Sequence, residues 1–127
     1  MPMGVERLKR RADFLRVAAV RRKWATPGMV LQAARDPSHV DAGRSCLGMR
    51  VGFTATKKTG NAVVRNRIKR RLRAIADEIL PAHAESGWDY VLIGRQKTPD
   101  RDFADLKKDL LFALKKVGAL KSGQSNE

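Results

Sequence analysis

Cysteine is all but missing from this chain: Cys46 stands alone, so no disulfide forms within it, and a reducing cytoplasm is the expected setting. A lone cysteine beside a strand reads as a small core residue. Histidine is nearly as scarce, and His39 and His83 have no partner in the sequence that would make a general acid–base pair or a metal cluster. No stretch of about 18 apolar residues exists, so no membrane-spanning helix is expected. The opening "MPMGVERLKRR" lacks the apolar centre of a secretory signal. A phosphate-binding glycine loop and a nucleophile motif are both absent. Acidic residues are missing from one long interval, Ala42 to Ala76.

That last absence matters most, because the same interval is crowded with cations. "KKTGNAVVRNRIKRRLRAI", Lys57 to Ile75, holds eight Lys or Arg residues. The whole chain has 127 residues and a formal net charge of +14, which suits one domain with its own core and a polyanionic partner. Residues 1–76 carry nineteen Lys or Arg against four acids, whereas residues 77–127 carry eight against nine. Charge gathered in the first part of a chain marks a binding surface, since solubilising charge would be spread evenly.

The remaining pattern reads as one α+β domain. A basic, flexible N-terminus is expected over residues 1–10 and a first helix from Arg11 to about Arg21. Pro27-Gly28 breaks the chain before a strand over Met29–Ala34, with a short extended piece around Trp24. "RDPSHVDAGRS" reads as a mobile loop. In "CLGMRVGFTAT", Met49, Val51, Phe53 and Ala55 face one way and Arg50, Gly52, Thr54 and Thr56 the other. Tyr90–Gly94, apolar throughout, predicts a central strand. Asp102 opens a last helix with a buried stripe of Phe103, Leu106, Leu110, Ala113, Leu114 and Val117, ended by Gly118. Asp100, Asp102, Asp105 and Asp109 read as helix-start and surface charge. The domain is expected over 11–118, with a disordered tail over 119–127.

Between the last two strands lies the basic helix. At 100° per residue, Val64, Ile68, Leu72, Ile75 and Ile79 fall within about 40° of one line, which docks on the sheet. Arg65, Asn66, Lys69, Arg70 and Arg73 sweep one flank and the outer face, and Arg67 and Arg71 take the opposite flank. Charged helix faces that only keep a protein soluble usually interleave both signs, which allows ion pairs along the helix. This one does not. Lys57, Lys58, Gly60 and Asn61 precede the helix start, where free N–H groups and the helix dipole favour an anion.

"KKTGNAVVRNRIKRRLR" resembles the signature segment of the bacterial ribonuclease P protein component, whose Arg-Asn-Arg centre matches Arg65, Asn66 and Arg67. "RLKRRADFLRV" resembles that family's N-terminal helix, "MRVGFTATKK" the strand before the signature, and "WDYVLIGR" the last strand. The resemblance runs from Arg7 to Val117. It implies an αβββαβα domain with a four-stranded sheet and a left-handed βαβ crossover, like the second domain of a small-subunit ribosomal protein. It further implies an accessory subunit of a ribonucleoprotein endoribonuclease, whose RNA performs magnesium-dependent removal of the 5′ leader from precursor tRNA. The protein itself would bind no cofactor, and one protein would pair with one RNA.

By the same resemblance, Lys57, Lys58, Asn61, Arg65, Asn66, Arg67, Lys69, Arg70 and Arg73 would contact the ribonuclease P RNA. The leader would lie in a cleft between the first helix and the sheet. Phe14 matches an aromatic position there, Thr54 a polar position on the floor, and Arg16 would follow the leader backbone. Ala18 stands where a second aromatic is frequent, and Gln32 where the strand usually offers Tyr, so the stacking platform is thin. Phe14 reads equally as a core residue. The alternatives are another small basic RNA-binding protein, such as a ribosomal protein, and a peripheral membrane protein, which would need bulky apolar residues opposite its charge.

Overall fold

The computed structural model describes residues 6–35, 49–85 and 87–120. Along the chain run β1 (Glu6–Arg7), α1 (Arg11–Val20), β2 (Lys23–Ala25), β3 (Met29–Arg35), β4 (Arg50–Thr54), α2 (Ala62–His83), β5 (Trp88–Gly94) and α3 (Phe103–Val117). The expected loop after Arg35, with His39, lies outside the described residues, as does Cys46 at the start of the next expected strand segment. The strands form one mixed sheet in the order β1-β4-β5-β3-β2. β5 lies between β3, antiparallel to it, and β4, parallel to it, with α2 as the crossover from β4 to β5.

The four expected strands are β2 to β5, and β1 adds a two-residue fifth beside β4. Order therefore begins within the segment expected to be loose. Leu8 explains why: it is the only large apolar side chain between Arg7 and Arg11, it is buried, and its N–H donates to the Val51 carbonyl at 3.0 Å. At the other end, the expected tail starts too early. Ala119 is buried, its carbonyl accepts from the Glu85 N–H at 2.8 Å, and Leu120 bridges to Ala84. Residues 121–127 lie outside the described residues.

α2 and α3 cover one face of the sheet, burying Ile68, Leu72 and Ile75 from the first and Leu106, Leu110 and Leu114 from the second against Leu31, Tyr90 and Leu92. α1 covers the other face, where Val17 meets Ala34, Val91 and Leu8. α2 comes closest to the sheet at Gly94, where a Cβ would stand 2.2 Å from Ile68 Cγ2. Asp102 holds the N-cap position of α3 but its side chain makes no capping bond.

Asp109 corrects the expectation of surface charge. It is buried, it accepts from the Gly28 N–H at 3.0 Å, and Arg101 Nε donates to it at 2.6 Å. The carboxylate thus ties α3 to the start of β3, a link of 81 residues that no local pattern announces. Tyr90 is buried too, and its hydroxyl donates to the Glu85 carbonyl at 2.7 Å. Burial, with the Glu85 and Asp89 charges, pushes its phenol well above the ordinary range, against the weaker opposing effect of that hydrogen bond.

Two outcomes follow from this packing. Gly94→Ala should overpack the contact with Ile68 and cost about 1–3 kcal/mol, read by urea unfolding. Tyr90 has its folded-state pKa raised above the ordinary phenol value of 10.0, so its contribution is complete below pH 10 and is lost as the pH climbs past it. Relative to Tyr90→Phe, the parent's unfolding free energy should fall by up to about 1.4 kcal/mol per pH unit above 10. Parallel slopes for the two proteins would show that Tyr90 ionises freely in the fold.

Candidate nucleic-acid interface

α2 starts where Asn61 accepts a hydrogen bond from the Val64 N–H at 3.0 Å. Asn61, expected among the RNA contacts, therefore has its side-chain oxygen engaged as a helix cap. Lys57 and Lys58 occupy the preceding 3₁₀ turn, Lys57–Thr59, with exposed side chains. The anticipated apolar line is buried from Ile68 onward, and Val64 packs partly against the core.

The outer face divides the cations into two groups. Asn66, Arg70 and Arg73 are exposed, Lys69 is half-buried, and with Val63 they line one open hollow along α2. Among the described residues, none of these four polar side chains has an intramolecular hydrogen bond or ion pair. The other group is turned onto backbone carbonyls. Arg65 Nη1 donates to Gly60 O at 3.0 Å and Arg67 Nε to Pro99 O at 3.1 Å, while Arg71 Nη2 donates to Arg101 O. Arg71 also lies over the Phe103 ring at 5.8 Å. Arg67 and Arg71 thereby hold the 95–101 turn against the helix. All three acceptors are neutral, so no positive charge is cancelled.

A second hollow opens where α1, β4 and α2 converge, lined by Lys9, Arg11, Phe14, Phe53, Thr54, Ala55 and Lys69. The structure brings Phe14 and Thr54 together there. Phe14 is half-buried: it packs against the Val17 cluster and also lines the hollow. Its ring lies on Gly52, where a Cβ would stand 2.4 Å from the ring carbon Cζ, so the ring needs a glycine beneath it. Lys69 borders both hollows and makes them neighbours. Phe53 packs partly against the core with Met49 and Val51, as its place on the apolar strand face predicts. It also reaches the rim of the hollow, with the Arg7 guanidinium 5.0 Å above its ring, where only the two-residue β1 lies beyond β4.

Arg16 does not stand free beside this hollow. Its Nη2 donates to Asp89 Oδ2, and Arg50 closes on the same carboxylate with Nε to Oδ1 at 2.9 Å and Nη2 to Oδ2 at 2.7 Å. Asp13 adds a second carboxylate, 3.6 Å from Arg50 Nη1. Asp89 is fully buried, so the cluster pins α1 to β4 and β5 and sets the wall of the hollow. Among the described residues, no three His, Cys, Asp or Glu side chains converge as metal ligands, and no helix is long and apolar enough to cross a membrane.

Comparison with known proteins bears on what these surfaces meet. A family model described as Ribonuclease P matches residues 3–118. The ribonuclease P protein component of Paramagnetospirillum magneticum is 54% identical over 127 residues, covering 100% of this chain and 93% of the relative. That of Ruegeria pomeroyi is 48% identical over 119 residues, covering 93% and 90%. Among solved structures, the RNase P protein of Staphylococcus aureus superposes with a TM-score of 0.72 at 26% identity, covering 92% of this chain and 99% of that one. The protein from Thermotoga maritima gives 0.67 at 25% identity, covering 84% and 93%. The family match spans all three helices and every strand, the two hollows included, and the chain belongs to the ribonuclease P protein family.

Proposed function

We propose that this protein binds the RNA subunit of ribonuclease P through the outer face of α2 and receives the single-stranded 5′ leader of precursor tRNA in the hollow beside Phe14. It thereby assists the RNA in endonucleolytic removal of that leader. The observation that carries this reading is the set Asn66, Lys69, Arg70 and Arg73: side chains of a polyanion-binding type, gathered on one face and without partners among the described residues. Holding like charges together this way opposes folding, so an external anion is the natural complement. Among the described residues, Asp89 and Asp13 are engaged by Arg16 and Arg50 and Asp109 by Arg101, and no carboxylate lines either hollow. Proton transfer and metal binding are accordingly assigned to the RNA, which uses magnesium, with one protein per RNA in the cytoplasm.

The leader hollow matches single-strand recognition in kind. Phe14 and Phe53 offer rings for bases, and Lys9, Arg11 and Lys69 offer cations for the backbone. Thr54 supplies a hydroxyl between them. Arg16 acts here through Asp89, by holding α1 in place.

At low magnesium, the RNA with this protein should cleave precursor tRNA faster than the RNA alone. Arg70→Ala with Arg73→Ala should weaken assembly while leaving unfolding within about 0.5 kcal/mol of the parent. Arg67→Ala should cost about 0.5–1.5 kcal/mol of stability through its lost carbonyl bond. Assembly should also weaken on the order of 10³-fold between about 50 and 200 mM salt. A flat salt titration would refute the phosphate contacts, and equal rates with and without protein would refute the accessory role.

For Phe14→Ala, loss of a stacking platform worth roughly 1–3 kcal/mol per base should weaken precursor tRNA binding and leave mature tRNA binding nearly unchanged. Measured in the assembled enzyme, an equal change for both tRNAs would confine Phe14 to packing.

A further inference from the structure

On the far side of α3 from α2, two aromatic side chains lie in the open. Trp24 on β2 is 40% exposed and Phe112 on α3 is 49% exposed. Their centroids are 6.2 Å apart with the ring planes at 68°, an edge-to-face pair. Lys116 Nζ stands 5.4 Å from the Trp24 centroid and 5.3 Å from that of Phe112. Lys108 and Lys115 are exposed on the same helix, four residues before and three after Phe112, which brings them alongside it. Neither has an ion pair among the described residues. The acidic residue within one turn of Phe112, Asp109, is turned inward onto Arg101. Residues 77–127 have almost no net charge, yet around these rings the balance is locally positive.

We propose that Trp24, Phe112 and Lys116 form a second single-stranded RNA contact, separate from both hollows on α2, in which an unpaired base stacks on the rings while Lys108, Lys115 and Lys116 meet its phosphates. Rings with flanking cations are what sequence-tolerant single-strand binding uses. The long Lys116 side chain reaches a phosphate by swinging off the ring faces, a motion its flexible stem permits. Charge complementarity chooses this occupant over a second copy of the chain, because two lysine-ringed patches on molecules of net charge +14 repel each other. The proposal rests on the reading of this chain as an RNA-bound subunit. It adds to that reading a contact at the opposite edge of the sheet, where RNA running past the leader hollow or a distant loop of the RNA subunit could be held.

The test uses the full chain assembled with ribonuclease P RNA and a single-stranded oligouridylate carrying 5-iodouracil, irradiated and mapped by mass spectrometry. Adducts on Trp24 or Phe112 are expected. Trp24→Ala with Phe112→Ala should lower oligonucleotide affinity about tenfold or more. Lys116→Glu keeps both rings and so guards against a folding defect; it should weaken binding and flatten its salt dependence. The proposal falls if adducts are confined to Phe14 and Phe53, or if the ring variants melt normally and bind within about twofold of the parent. It falls equally if the parent sediments as a dimer, or binds anionic vesicles, in a manner that Trp24→Ala abolishes. Precursor tRNA cleavage run in parallel keeps the two readings apart. Intact stimulation without adducts at Trp24 or Phe112 removes only the patch, whereas absent stimulation removes the accessory role.

Discussion

Asp89 has no access to solvent, and guanidinium groups from two different elements close on its carboxylate. A buried carboxylate left alone would cost several kcal/mol, so once β5 carries Asp89 into the sheet, Arg50 and Arg16 have to follow. Arg50 comes from the neighbouring strand. Arg16 comes from α1, and its arrival fixes that helix on the outer face of the sheet. The position of α1 seats the Phe14 ring on Gly52, and that seat defines one side of the hollow. The geometry of the hollow beside Phe14 thus descends from one polar interaction within the most apolar strand.

The opposite face obeys a different constraint. α2 has only a narrow uncharged line, and it approaches the sheet closely enough that Gly94 must lack a side chain beneath Ile68. Close docking of a thin stripe leaves the rest of the helix circumference to the cations. Some of these brace the 95–101 turn through carbonyl bonds, while Asn66, Lys69, Arg70 and Arg73 have no partner among the described residues. An open cationic face and a structural brace therefore share one helix, divided by which neighbours each flank meets.

Much of this was legible in the sequence, and for identifiable reasons. The line from Val64 to Ile79 repeats at helical spacing, and the absence of acids around it needs no structure to be seen. Strands β3, β4 and β5 announced themselves by alternation or by continuous apolar runs. What escaped depends on distant partners. Asp89 sits within "GWDYVLIGR" without any local sign that Arg16 and Arg50 will reach it, and Asp109 resembles its exposed neighbours until Gly28 and Arg101 are placed beside it. β1 is too short to show a period. Phe53 occupies a strand position that reads as core and does pack there in part, but its second place at the rim of the hollow depends on the shortness of the neighbouring strand. Asn61 reads as an anion contact, and its role as a helix cap shows only once the Val64 N–H is located.

The carbonyl partners of Arg65, Arg67 and Arg71 have one more consequence. A carboxylate would fix an arginine and also erase its far field, whereas a carbonyl fixes it and leaves its monopole intact. The braced arginines therefore still add to the potential that an approaching nucleic acid feels before any contact forms. Such fields accelerate encounter and fade with ionic strength within about a Debye length of 8–10 Å. In the function proposed above, α2 has a capture radius set by all its arginines and a footprint set by fewer. The rate at which an RNA arrives and the tightness with which it stays are then governed by overlapping but different residues.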